Sequence, residues 1–230
     1  GSATLFGAGN FVDEEGNAII PEHWRTAFNW YQDAMWEDGF YPTGPYGAST
    51  VLSEGNWFDS GNIAMVNTHL WYLTCCLTTL DAEWAVAPVP AFEGETTAKL
   101  HAGTFGILEG GQNPEEAFEV LTYLLSPETA GRLANIYGGM PARLSLQEGY
   151  FESFSERVGQ DINWDVVVAG LDYVDNPSHE EGMPGYREAR DLYLAFEQRL
   201  ISEPDFDLDV ELETLREGLQ GIFDTASERN

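Results

Sequence analysis

The chain has 230 residues, 43% of them hydrophobic and 13% aromatic, which suffices for one large domain or two small lobes and is too apolar for a disordered polypeptide. Thirty-nine acidic residues face ten basic ones, giving a net charge of −29, and Lys99 is the one lysine. That balance argues against nucleic acid and anionic lipid surfaces, whose phosphates need a basic footprint, and it disfavours polyanionic small ligands. An acidic surface almost free of lysine fits a high-salt habitat; a GC-rich genome that favours arginine over lysine explains it equally well.

Segment 10–17, with Asp13-Glu14-Glu15-Gly16-Asn17, reads as an acidic turn between short extended pieces. Pro21 then opens a helix whose Trp24, Phe28, Tyr31 and Met35 share one face, and Gly39 stops it. A loop is expected over 42–47. Segment 62–66 is a strand candidate, 73–80 a helix, 84–88 a second strand, 91–98 a polar connector and 101–108 a third strand. Cys75 and Cys76 are adjacent, a spacing that rarely satisfies disulfide geometry, so they read as small buried thiols.

Asn113-Pro114-Glu115-Glu116 is a strong helix start, with an N-cap, a proline at the first position and acids favoured by the helix dipole. Phe118, Leu121, Leu124 and Leu125 supply that helix's apolar face. Ser126-Pro127-Glu128 repeats the start signal, and Gly138-Gly139 ends the second helix. Ser145-Leu146-Gln147-Glu148 reads as a capping box. A further helix is expected over 161–170, although Val166-Val167-Val168 also suits a strand. After a loop at 172–185, Tyr186, Ala189, Tyr193, Phe196 and Leu200 give a long amphipathic helix. Leu212, Leu215, Leu219 and Phe223 give the last one. The class is α/β or α+β with helices dominating.

Asp205, Asp207 and Asp209 alternate like a calcium loop, but Val210 and Arg216 stand where its glycine and closing glutamate belong. They read instead as a solvated connector and an N-cap. No metal-like Cys/His cluster, P-loop, Gly-x-Ser-x-Gly or His-Glu-x-x-His occurs, and no cofactor is expected. No signal peptide is visible, and no apolar run is long enough to span a membrane.

The stretch Gly55-Asn56-Trp57-Phe58-Asp59-Ser60-Gly61-Asn62-Ile63-Ala64-Met65, the aromatic pair Trp71-Tyr72, and Trp84-Ala85-Val86-Ala87-Pro88-Val89-Pro90 come in a characteristic order. So do Asn113-Pro114-Glu115-Glu116-Ala117, Leu124-Leu125-Ser126-Pro127-Glu128 and Gly138-Gly139-Met140-Pro141-Ala142-Arg143. The succession resembles the extracellular solute-binding proteins of ABC importers, the sugar-binding family 1, with a layout similar to the maltose-binding type over its C-terminal two-thirds. The resemblance implies a type II periplasmic-binding-protein-like α/β fold. Residues 1–98 and 144–230 would then form the C-terminal lobe and 99–143 would cross to the N-terminal lobe. Most of the N-terminal lobe would be absent from a chain of this kind, with loss of ligand affinity. It also implies a non-enzymatic, extracytoplasmic protein that captures a carbohydrate between hinged lobes and delivers it to an ABC permease. The alternatives are a non-sugar solute such as a peptide or polyol, or a glycosidase using a carboxylate pair.

Trp71 leads the candidate ligand residues, because an aromatic plane at an element's end covers the C–H face of a sugar ring without needing charge. The resemblance places a stacking aromatic there; a core tryptophan is the plainer alternative. Tyr186 stands at the start of a helix expected to face the cleft, or packs in the core with Ala189 and Tyr193. His101, Gly103 and Thr104 lie at the expected crossing, where small residues admit a backbone close to a ligand and Thr offers a hydroxyl. A lone histidine is more often structural. Arg143 suits sugar hydroxyls or, more plainly, a helix-end ion pair. Trp57 and Asp59 occupy the turn before the first strand candidate, where Asp59 can accept hydroxyl hydrogen bonds or simply face solvent.

Overall fold

The helices follow the apolar spacing closely. The computed structural model describes residues 6–52, 57–75, 77, 80, 82–174 and 182–228. Helix α1 (Glu22–Gln32) buries Trp24 and Phe28, and a π-helical extension (Asp33–Glu37) buries Met35 before Gly39 turns the chain in a left-handed conformation. The expected loop at 42–47 contains instead one helical turn, α2 (Gly44–Gly47), because the Thr43 hydroxyl accepts from the Tyr46 amide and Pro45 suits the first turn. Later helices are α3 (Tyr72–Cys75), α4 (Pro114–Leu124), α5 (Pro127–Tyr137), α6 (Gln147–Val158), α7 (Trp164–Ala169), α8 (Tyr186–Ser202) and α9 (Leu208–Ser227). None of the described helices is long and apolar enough to cross a membrane.

By packing, the chain divides into two compact units, one comprising residues 1–54, 89–100 and 170–230, the other 55–88 and 101–169. The first unit is organised around α8 and α9. Ala189, Tyr193, Phe196 and Leu200 on α8 and Leu212, Leu215, Leu219 and Phe223 on α9 are all buried, together with Phe11, Trp24 and Phe28. Gly218 lets the two helices approach, since a Cβ there would lie 2.7 Å from Leu192 Cδ2. Asp207 caps α9 through the Val210 amide at 3.2 Å, so the alternating aspartates serve the helix start. Arg199 at the end of α8 forks onto Glu203 and onto Glu211 of α9, at 2.6 to 3.2 Å, with its guanidinium over the Phe206 ring. The acidic turn forms as expected: the Asn17 side-chain amide donates to the Asp13 carboxylate, as do the Asn17 and Glu15 backbone amides, which together lower that carboxyl from its ordinary value.

The second unit has a smaller core of Tyr72, Leu73, Leu77, Ala134, Tyr150, Phe154 and Ile162. Trp164 lies edge-on to Phe154 at 5.3 Å, stacks on Phe151 at 4.6 Å and donates to Ser155 Oγ. Tyr150 donates to the Gly138 carbonyl at 2.8 Å, and burial pushes its phenol up to about 12. Helix α5 starts at the Ser126 cap and ends at left-handed Gly138, both as expected.

Several expectations fail. The strands expected at 62–66, 84–88 and 101–108 form no ladder among the described residues, where pairing is confined to the isolated bridges Val12–Ala18 and Phe92–Glu95. A strand exists only through hydrogen bonds to a neighbour, and these segments have no described neighbouring strand; Met65 and Leu108 stand more than four-fifths exposed. The expected apolar face of α4 is only partly covered, with Leu121 and Leu124 half-buried and Phe118 and the C-cap residue Leu125 exposed. Ser145 does not cap α6: it sits inside a 3-10 turn (Leu144–Leu146), and α6 begins at Gln147 without a side-chain cap. Segment 161–170 resolves to helix α7, the valines notwithstanding. Of the expected helix at 73–80, α3 covers 73–75, whereas Leu77 and Leu80 are not helical; the Cys75 side chain and Cys76 lie outside the described residues, as do Gly55, Asn56 and 175–181 of the acidic loop.

Candidate functional site

Of the expected site residues of the second unit, Trp71, Asp59 and His101 lie near the start of α3. Gly61 adopts a left-handed conformation that closes the 3-10 turn Phe58–Ser60. The Ser60 hydroxyl donates back to the Trp57 carbonyl at 2.5 Å, pinning the turn that carries Trp57 and Asp59. Trp57 is exposed and Asp59 half-buried. The charge of Asp59 reaches Tyr72: burial is the larger cause raising the Tyr72 phenol, a hydrogen bond from the Phe58 backbone opposes it, and Asp59 adds to it.

Trp71 immediately precedes α3 and is 48% exposed, while its neighbours Tyr72 and Leu73 are buried in the core. The core expectation for Trp71 therefore fails; the chain anchors the next two side chains and leaves this indole half exposed. Its ring stacks against His69, with centroids 6.0 Å apart and planes at 21°, and lies 6.3 Å from Tyr72. His69 in turn meets His101, an exposed residue 32 positions later, at 4.6 Å between ring centroids. Trp71 and His101 are thus joined through His69, which the sequence reading missed. His69 and Trp71 flank Leu70 in the turn that leads into α3, where the Tyr72 amide donates to the His69 carbonyl at 3.0 Å.

Gly103 and Thr104 follow His101 on the same exposed segment. A Cβ at Gly103 would meet nothing within 4 Å, so no close backbone approach within the chain requires glycine there. Arg143 is exposed and donates to the Leu125 carbonyl at 3.2 Å, placing a cation at the C-terminal end of α4, where the helix dipole favours it. Tyr186 belongs to the first unit. It opens α8 after left-handed Gly185 and is 47% exposed, so it too stands outside the core formed by Ala189 and Tyr193.

Three arginines are committed to carboxylates and a fourth to a backbone carbonyl. Arg25 pairs with Asp209 and Glu22, Arg199 with Glu203 and Glu211, and Arg216 with Glu213, while Arg157 donates to the Asn135 carbonyl. No group of three or more His, Cys, Asp or Glu side chains that would cage a metal occurs among the described residues.

The family model described as bacterial extracellular solute-binding protein matches residues 2–131, more than half of the chain, and the chain belongs to that family. No curated protein matches it. Family membership makes the chain an extracellular solute-binding component of ABC transport, with a solute and an ABC permease as its partners. The family fits a periplasmic-binding-protein-like fold, and the described residues are rich in helix.

Proposed function

We propose that this solute-binding protein captures a neutral polyhydroxylated solute, a mono- or oligosaccharide, and delivers it unchanged to its permease. The observation that carries the reading is Trp71: an indole half exposed, stacked on the His69 imidazole, on a turn whose following residues are locked into the core. Such a plane offers dispersion contact and a π-face to sugar C–H groups, and it needs no charge on the ligand. Committed arginines and a net charge of −29 weigh against an anionic solute. The fold that accompanies this proposal is the type II α/β binding-protein architecture, in which the solute bridges two hinged lobes and shifts the population toward the closed form. Tyr186, Trp57, Asp59, His101, Gly103, Thr104 and Arg143 are the further ligand residues of this reading, with Trp71 first among them.

Calorimetric titration against a panel of neutral mono- and oligosaccharides, sugar phosphates, amino acids and short peptides tests the solute class. Saturable binding of a neutral sugar, recovered chemically intact, supports the proposal. Saturable binding confined to peptides or to anionic ligands overturns it, and release of free reducing sugar would favour a glycosidase.

A further inference from the structure

The contact between His69 and His101 has a geometry suited to more than packing. Two imidazoles ligating one divalent ion, with metal–nitrogen bonds of about 2.0–2.1 Å, hold their ring centroids about 4.5 Å apart at a right angle and about 5.2 Å apart at the tetrahedral angle. The observed separation is 4.6 Å, with the planes inclined by 49°. The two side chains come from segments far apart in sequence, so the pair is a product of the fold of the second unit. His101 is exposed and His69 half-buried, which leaves an approach from solvent.

We propose that His69 and His101 together bind a borderline divalent transition-metal ion, zinc or copper, beside Trp71. Imidazole nitrogen suits these ions, whereas magnesium and calcium select oxygen. Among the described residues no third His, Cys, Asp or Glu completes a protein cage, so the ion keeps positions for water or for oxygen atoms of a solute. Binding requires both imidazoles to present an unprotonated nitrogen. The stacked indole of Trp71 lies against one ligand, so a bound copper ion quenches its fluorescence. The site stands independently of the sugar proposal, because neither its ligands nor its geometry depends on which solute is captured.

The test is titration of ZnCl2, and separately CuCl2, into the full chain at physiological salt with excess MgCl2, which occupies the carboxylate-rich surface. One saturable site is expected, tighter for copper than for zinc. His69→Ala and His101→Ala should each weaken it at least ten-fold, and His23→Ala, whose ring contacts the Gly7 carbonyl, should not change it. His69→Gln and His101→Gln preserve bulk and polarity and check that the loss reflects ligation, with far-UV circular dichroism confirming the fold. Trp71→Phe should remove part of the copper quenching while leaving calorimetric zinc binding intact. Absence of saturable uptake, or an isotherm unchanged in both alanine variants, overturns the assignment. A failed sugar titration leaves it standing, and failed metal uptake leaves the sugar proposal standing.

Discussion

Leu219→Ala probes the α8–α9 pair that organises the first unit. Leu219 is fully buried, one turn from Leu215 and Phe223, in the same core as Ala189, Tyr193 and Phe196 of α8. The substitution removes three carbons, worth about 2.4 kcal/mol of transfer at about 0.8 kcal/mol each. A cavity adds to that, because the helices already touch where Gly218 meets Leu192 and their ends are tied by Arg199, leaving little room to collapse. The expected total is about 3–4 kcal/mol. With a urea m-value of about 2 kcal/mol/M, the midpoint should fall by about 1.5–2 M. The assay is urea unfolding followed by tryptophan fluorescence, since Trp24 sits in the same core. Val210→Ala, on the exposed side of α9, serves as the control and should stay within about 0.5 kcal/mol. A loss below about 1 kcal/mol for Leu219→Ala would refute the packing described for this helix pair.

Glu197 is half-buried and accepts the Tyr193 hydroxyl at 2.5 Å; burial raises its carboxyl above the ordinary value more than that hydrogen bond lowers it. A raised folded value means the folded chain holds the proton more tightly, so this group favours folding at acid pH and loses that contribution as the pH rises through the folded value. Glu197→Gln should therefore raise the melting temperature at pH 7, with the gain shrinking toward pH 4; an equal gain at both would count against the burial argument. Tyr150→Phe leaves the Gly138 carbonyl without its partner and should cost about 1–3 kcal/mol in thermal unfolding. In the wild type, absorbance titration should show one phenol resisting ionisation to about pH 12, and its loss in the variant identifies it. Gly185→Ala forces a side chain into a left-handed backbone with its Cβ 2.7 Å from Ile222 Cγ2, and should destabilise α8 by about 1–3 kcal/mol. A neutral result would mean the α8 start is looser than described.

The helices that sequence reading located are those whose evidence is local. Trp24, Phe28 and Met35, or Leu212, Leu215, Leu219 and Phe223, repeat at a spacing that only a helix buries on one side, and all are buried. Capping was less legible: Asp207 and Ser126 cap their helices, while Ser145 falls one residue before the N-cap position Leu146, within a 3-10 segment. Strand expectations failed for a different reason. Alternating apolar residues at 101–108 record which face is apolar, but no property of that segment names a pairing partner. The site divides the same way. Trp71 was recognisable from its place in an ordered motif, whereas the meeting of His69 with His101 depends on how the second unit brings distant segments together. Arg143, a further residue of the proposed site, donates to the Leu125 carbonyl at the end of α4, a contact between segments 18 residues apart that no local motif announced.

The claim that Trp71 presents a ligand platform is tested most directly by titrating the sugar that binds best into the wild type and Trp71→Ala. Covering roughly 80 Å² of exposed indole at about 25 cal/mol/Å² is worth about 2 kcal/mol, roughly a thirty-fold loss of affinity. Because the ring is half exposed, the melting temperature of the unliganded variant should barely move. Affinity reduced on that scale with stability preserved is the result the account predicts. Affinity unchanged in Trp71→Ala would contradict it and place the solute elsewhere on the chain.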